Sequence, residues 1–171
     1  MIGETHTGVY VRPGVPEAIR DGLVPAADLV KPNAFELGYL TGGPVATLGD
    51  ALAAADLLRG RGPALVVATD LPLDDAPDRL GVLLVGPDAA WLARTPRRRV
   101  PGHGAGDTFT ALFLGVYLTS QDPPGALSHA VAALDAILAE TERTGARDLA
   151  LVASQDAITR PPALPPLQRL R

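Results

Sequence analysis

The sequence predicts an α/β fold with a mostly parallel sheet flanked by helices, and three observations carry that expectation. Strand-like and helix-like segments alternate along the chain. The run from Ala64 to Ala68 is continuously apolar between Gly62-Pro63 and Thr69-Asp70, the pattern of a strand covered on both faces. Just before it, Leu48, Leu52, Ala55 and Leu58 recur at helical spacing.

Each element has its own local reason. Residues 3–14 are turn-rich, and Val15-Pro16-Glu17 starts a short helix to about Leu23. Asp28 to Lys31 reads as a short buried strand stopped by Pro32. Asn33 then caps a helix with Glu36 at the capping-box position, and Gly42-Gly43-Pro44 ends it. Thr47 and Asp50 repeat that box ahead of the amphipathic helix, which Gly60 and Gly62 close. An acidic turn, 73–78, leads to a strand at 80–85, and Pro87-Asp88 turns the chain into Ala90–Ala93 as an antiparallel hairpin. Trp91 packs that hairpin. A helix is predicted from Thr108 to about Leu118, and another over 125–144 with Leu127, Val131, Leu134 and Leu138 on one side. A last strand is predicted at Leu149–Ala153. The Pro-rich tail, 161–171, is expected to be disordered beyond a single domain spanning 1–160.

Composition excludes several classes. Apolar residues make up 47% and charged residues 20%, which suits a packed core. Glycine and proline, 18 and 17 of 171 residues, suit many short turns. A net charge of −4 gives no broad basic surface for nucleic acid. With no cysteine, disulfides and thiolate chemistry are excluded. No apolar run approaches the ~20 residues of a membrane span, and the N-terminus lacks signal-peptide character. The expectation is a soluble cytoplasmic protein.

The stretch Gly102-His103-Gly104-Ala105-Gly106-Asp107 before an apolar helix carries the chemistry. Glycines there let backbone N–H groups converge where the helix dipole is positive, a site for phosphate. Asp107 beside it is placed to take a proton from an attacking hydroxyl. The plainer reading is a tight turn at Gly104 and Gly106 with Asp107 as a helix cap, and the residues alone leave both open. A Walker A loop is excluded, because no Gly-Lys-Ser/Thr occurs.

The segment 104–109, Gly-Ala-Gly-Asp-Thr-Phe, resembles the C-terminal signature of the ribokinase-like kinases. The segment 30–37, with Pro32, Asn33 and Glu36, is similar to that family's Pro-Asn-x-x-Glu. Residues 10–14, 23–30 and 149–158 resemble the pyridoxal kinase branch, and the last is the most branch-specific. The resemblance implies a ribokinase-like sheet and ATP with Mg2+. It makes Asp107 the catalytic base, and Gly104, Ala105 and Gly106 the anion hole. Asn33, Glu36, Thr69 and Thr108 would serve the nucleotide, Glu36 holding magnesium through water. Thr69-Asp70 is equally well a turn. Arg97 to Arg99 is expected to be a solvated loop rather than a cover on the nucleotide, and His103 a loop residue. His129 and Asp135 lie in a helix that the resemblance places near adenine, although packing alone accounts for both.

Met1-Ile2-Gly3 aligns with the last three positions of the Asp-Pro-Val-x-Gly segment of pyridoxal kinases, so the resemblance implies a fold incomplete at its N-terminus. The leading strands and most of the pyridine pocket are expected to lie outside this sequence. Alone, the chain is expected to be unstable or self-associating, because an uncovered sheet edge and apolar face remain. The implied activity is transfer of the ATP γ-phosphate to the 5′-hydroxyl of pyridoxal or a close vitamer, and full-length relatives are homodimers. The alternatives are a hydroxymethylpyrimidine or sugar kinase and a non-catalytic nucleotide-binding fragment. Hydroxymethylpyrimidine kinases tend to carry Cys where Asp107 stands.

Overall fold

The computed structural model describes residues 2–98, 100 and 104–171. Two compact units make up the chain: residues up to Leu92 together with Arg169–Arg171, and Ala93–Gln168.

The first unit opens with a small antiparallel hairpin, β1 (Gly3–Glu4) and β2 (Gly8–Val9), in the register Gly3↔Val9. Gly3 must be glycine, because a Cβ there would run into the Gly8 carbonyl and the Phe35 ring. The predicted helix at 15 begins as α1 (Val15–Ala18), widens to an i→i+5 turn over Ile19–Leu23 and tightens over Val24–Ala26. Then β3 (Leu29–Val30) pairs parallel with β4 (Leu65–Leu71), Leu29 opposite Leu65. The helices between them, α2 (Ala34–Thr41) and α3 (Leu48–Arg59), both start with complete capping boxes, Asn33/Glu36 and Thr47/Asp50. Each cap satisfies N–H groups the first turn leaves orphaned, contributing about 1 kcal/mol. Gly42 ends α2 at φ 85°, a left-handed turn that glycine adopts without penalty.

As expected, β4 is buried through residues 65–69. It extends past the predicted end, and Thr69-Asp70 forms a bulge rather than a terminating turn. Ala68 pairs with Leu83 and Leu71 with Gly81, so β4 spends one residue more than β5 (Arg79–Val85) between those pairs. Asp70 takes up the extra residue at φ 59°, a left-handed conformation that Asp tolerates better than most. The β4–β5 pair is antiparallel. After a turn closed by Gly86 N–H donating to the Ala89 carbonyl (2.9 Å), β6 (Ala90–Pro96) follows beside β5. A connection that short permits only an antiparallel pair, so the sheet is mixed within the α/β class.

The tail is more ordered than the sequence predicts. β7 (Gln168–Arg169) ends the order β3-β4-β5-β6-β7. Leu170 N–H donates to the Ala90 carbonyl at 2.8 Å, and Arg171 clamps Asp56 through two bonds of 2.7 and 2.5 Å. The Arg169 guanidinium lies 5.6 Å from the Trp91 ring centroid. Leu37, Ala55, Leu58, Val66, Ala68, Leu71, Leu83 and Val85 form the core of this unit, each large aliphatic contributing about 1.5–3 kcal/mol by burial.

In the second unit α4 (Ala105–Ser120) and α5 (Pro123–Thr144) are joined through Gln121, which turns the chain at φ 55°. α4 starts three residues before its predicted start, because Gly104 adopts φ 101° and its carbonyl accepts from Thr108 N–H at 2.8 Å. The buried face of α5 runs through Leu127, Val131 and Ile137, while the predicted Leu134 and Leu138 are half-buried.

The strand predicted at Leu149–Ala153 is a turn running into a short helix, α6 (Gln155–Thr159). Its backbone bonds are local: Leu151 N–H to the Leu149 carbonyl, and Ser154 N–H to the carbonyls of Ala150 and Leu151. Val152 is 80% exposed, so this apolar run has no burial to hold it extended. Thr141 pins the turn by accepting from Ala150 N–H at 3.0 Å while donating to the Ile137 carbonyl at 2.7 Å.

Candidate active site

The start of α4 presents three backbone donors. The first intrahelical bond runs from Thr108 N–H to Gly104, so the N–H groups of Ala105, Gly106 and Asp107 have no partner within the helix. They point out of its N-terminus, where the dipole favours an anion. Gly104 is required for conformation: φ 101° penalises any side chain, whereas among the described residues a Cβ there would meet nothing nearer than Leu149 Cδ1 at 3.8 Å. Gly102 and His103 lie outside the described residues.

Asp107 is the third helical residue, not a cap. It is exposed, while Thr108 beside it is half-buried. One turn on, Thr110 Oγ1 donates back to the Gly106 carbonyl at 2.9 Å. Phe109, Phe113 and Tyr117 stack at i, i+4 spacing, with centroids 6.3 and 5.8 Å apart, and Phe109 and Phe113 are buried. That aromatic ladder fixes the helix whose tip carries the donors.

Asn33, Glu36 and Thr69 come together in the first unit. Asn33 Oδ1 accepts from Glu36 N–H at 2.8 Å, and Asn33 Nδ2 donates to the Gly3 carbonyl at 2.9 Å. Glu36 is 5% exposed, and its two oxygens accept from Ile2 N–H at 2.5 Å and Asn33 N–H at 3.1 Å. Asn33 and Thr69 form a parallel bridge beyond the end of β3, with Thr69 N–H donating to the Pro32 carbonyl at 3.0 Å. Thr69 Oγ1 lies 3.4 Å from Asp70 Oδ2. A recess of about 170 Å³ bordered by Ile2, Ile19, Val24, Lys31 and Glu36 reaches this carboxylate.

Two features escape a reading of local sequence. The Ile2 backbone donor on Glu36 comes from 34 residues away. Arg98 is neither solvated nor free: it forks onto Asp135 at 2.6 and 3.1 Å and reaches Glu142 at 3.3 Å. The only sequence signal is an arginine run upstream of a helix with acids seven residues apart. Among the described residues, no group of three or more acidic or histidine side chains is gathered as a metal-ligand set, and no helix is long and apolar enough to cross a membrane.

An α/β chain with a glycine-opened helix N-terminus and an acid in its first turn has the parts of a phosphoryl-transfer enzyme. The chain belongs to the phosphomethylpyrimidine kinase family, whose model matches residues 4–151. It is similar to a pyridoxal kinase of Rubrobacter xylanophilus, 43% identical over 172 aligned positions that cover 99% of this chain and 59% of the relative. A pyridoxal kinase of Deinococcus radiodurans is also 43% identical, over 168 positions, 94% of this chain and 56% of the relative. The structure of Leishmania donovani pyridoxal kinase in complex with ADP and pyridoxine matches with a TM-score of 0.88 at 25% identity, covering 99% of this chain and 59% of that one. The chain thus spans about three fifths of the length of the relatives it matches.

Proposed function

We propose that this chain serves ATP-dependent phosphorylation of the 5′-hydroxyl of pyridoxal or a close vitamer. The observation that carries the reading is the start of α4, three helix N–H groups with no partner among the described residues and the exposed Asp107 carboxylate in the same turn. Asp107 takes the proton of the substrate hydroxyl as its oxygen attacks the γ-phosphorus of ATP. The bond to the bridging β,γ-oxygen breaks and ADP leaves. The N–H groups of Ala105, Gly106 and Asp107 receive the charge that builds on the transferring phosphoryl oxygens, and Thr108 and Thr69 offer hydroxyls to the nucleotide.

Oxygen donors suit Mg2+, and Glu36 supplies them in a restricted way. Each of its oxygens gives one lone pair to a backbone N–H and keeps another. The carboxylate therefore fits an outer role through water, with Asn33 fixing its rotamer. Magnesium, when bound, neutralises charge on the phosphates.

The relatives' naming as pyridoxal kinases and the Leishmania complex with ADP and pyridoxine support this vitamer class. The family model's description favours a second acceptor, a hydroxymethylpyrimidine, against which the resemblance sets Asp107 where such kinases tend to carry Cys. Location in the cytoplasm, and a homodimer for full-length relatives, belong to the same reading. The test incubates the chain with Mg-ATP and either pyridoxal or hydroxymethylpyrimidine, with nucleotide binding read separately by calorimetry. Pyridoxal 5′-phosphate formed in preference supports the reading. Preference for the pyrimidine selects the second acceptor, binding without turnover selects a nucleotide-binding chain, and no Mg-ATP binding overturns the reading.

A further inference from the structure

The larger sheet ends on β7, and β7 is built like a guard. An outermost strand leaves a row of N–H and C=O groups to which another chain can pair, and natural sheets blunt that edge with short, charged strands. β7 has only two residues, and its continuation through Leu170 and Arg171 brings two arginines to the margin. β6 has neither safeguard where the guard covers it. It runs for seven residues, and Ala90, Trp91, Leu92 and Ala93 carry no charge and no proline.

Several modest contacts hold the guard, all of them within the first unit. Ala90 is the seam: its carbonyl accepts from Leu170 N–H at 2.8 Å, and its N–H donates to the Arg171 carbonyl at 3.3 Å. Both backbone groups of Ala90 are therefore spent on the tail. Leu170 packs, partly buried, against the core of this unit. Arg171 forks onto Asp56 of α3 at 2.7 and 2.5 Å. Arg169 lies over the Trp91 ring and donates from Nε to the Arg171 carbonyl at 3.1 Å. The ion-pair side chains are 47% and 39% exposed, so that pair adds little alone. A grip of this kind opens locally while the rest of the sheet stays folded.

We propose that Arg169–Arg171 is a clasp that closes the β6 edge in cis, and that the partner it keeps away is a second copy of this chain. With the clasp off, Ala90 offers a donor and an acceptor outward beside Trp91. Two such edges are identical, so they pair with each other about a two-fold axis. No charge opposes that pairing over residues 90–93, whereas two closed clasps would set arginine against arginine. The clasp does not depend on the phosphoryl-transfer reading.

The test follows the full chain, the chain shortened to end at Leu167, and Arg171→Gln by sedimentation and by amide hydrogen exchange over a concentration series. The N–H groups of Ala90 and Leu170 each have a bond to lose, and in the full chain their exchange is independent of concentration. In the dilute shortened chain Ala90 exchanges about tenfold faster while the amides of β4 are unchanged. As concentration rises, a dimer absent from the full chain forms and Ala90 slows again, because the second copy takes the place of the tail. Arg171→Gln shows the same pattern to a smaller degree, and adding Asp56→Asn changes it no further, as expected for one shared interaction. A shortened chain that sediments like the full chain at every concentration overturns the proposal. So does a dimer in which Ala90 still exchanges fast, the result expected if copies meet through β3 at the other sheet edge. Should shortening loosen β4 as well, Arg171→Gln decides: acceleration confined to Ala90 and Leu170 with a dimer gained supports the clasp, and unchanged or general exchange overturns it.

Discussion

Glu36 ties two backbone segments together, and the proposed function gives the same carboxylate a part at the nucleotide. Its carboxylate accepts from Ile2 N–H and Asn33 N–H in a nearly closed environment. Glu36→Ala leaves both donors unmatched, and since hydrogen bonds to charged groups contribute about 1.5–3 kcal/mol each, a loss of about 3 kcal/mol is expected in urea unfolding. Glu36→Gln keeps one acceptor and removes the charge, so it should cost about half as much yet weaken Mg-ATP binding as strongly. Gly104→Ala separates conformation from packing. No described residue crowds the methyl, so the expected cost of about 1–2 kcal/mol is that of φ 101°, and calorimetry should show weaker ATP binding with it.

Locally determined elements were the legible ones. The capping boxes at Asn33 and Thr47 appear as read, and the buried run at 65–68 is a strand as read, though β4 continues to Leu71; all three depend on neighbours within a few residues. α4 was misplaced because Gly104-Ala105-Gly106 looks like loop, whereas the left-handed φ of Gly104 starts the helix there. Leu149–Ala153 has strand composition but no strand partner among the described residues. The fork of Arg98 depends on a residue 37 positions away, as β7 depends on Ala90, and neither leaves a local pattern. The tail makes a pH prediction. The Arg171 guanidinium bonded to Asp56 holds that carboxyl below its ordinary value. A folded-state pKa that is depressed gives stability that is complete above the unfolded value, about 3.9 for Asp, and is lost as pH falls through the folded value. Emission from Trp91, the single tryptophan, should therefore hold constant down to about pH 4 and shift below it as Arg169 leaves the ring. In Asp56→Asn the shift should already be present at neutral pH.

At the scale of the molecule, sequence and fold point to one family. The match over residues 4–151 and the TM-score of 0.88 place nearly the whole chain in the family's architecture. The resemblance read from 104–109 and 30–37 points the same way, and both segments lie inside the matched range. Acceptor choice was not legible to the same degree, since a hydroxyl on a pyridine and one on a pyrimidine make the same demand on an N–H-lined helix tip and a carboxylate. The central claim is that Asp107 is the base at that tip. Its most direct measurement is turnover of Asp107→Asn against wild type with pyridoxal, with the Kd for Mg-ATP measured alongside. The account predicts a fall of at least about a hundredfold in kcat with ATP binding within twofold, since the substitution keeps the size of the exposed Asp107 side chain and removes only its charge. Equal turnover in the two proteins would contradict it.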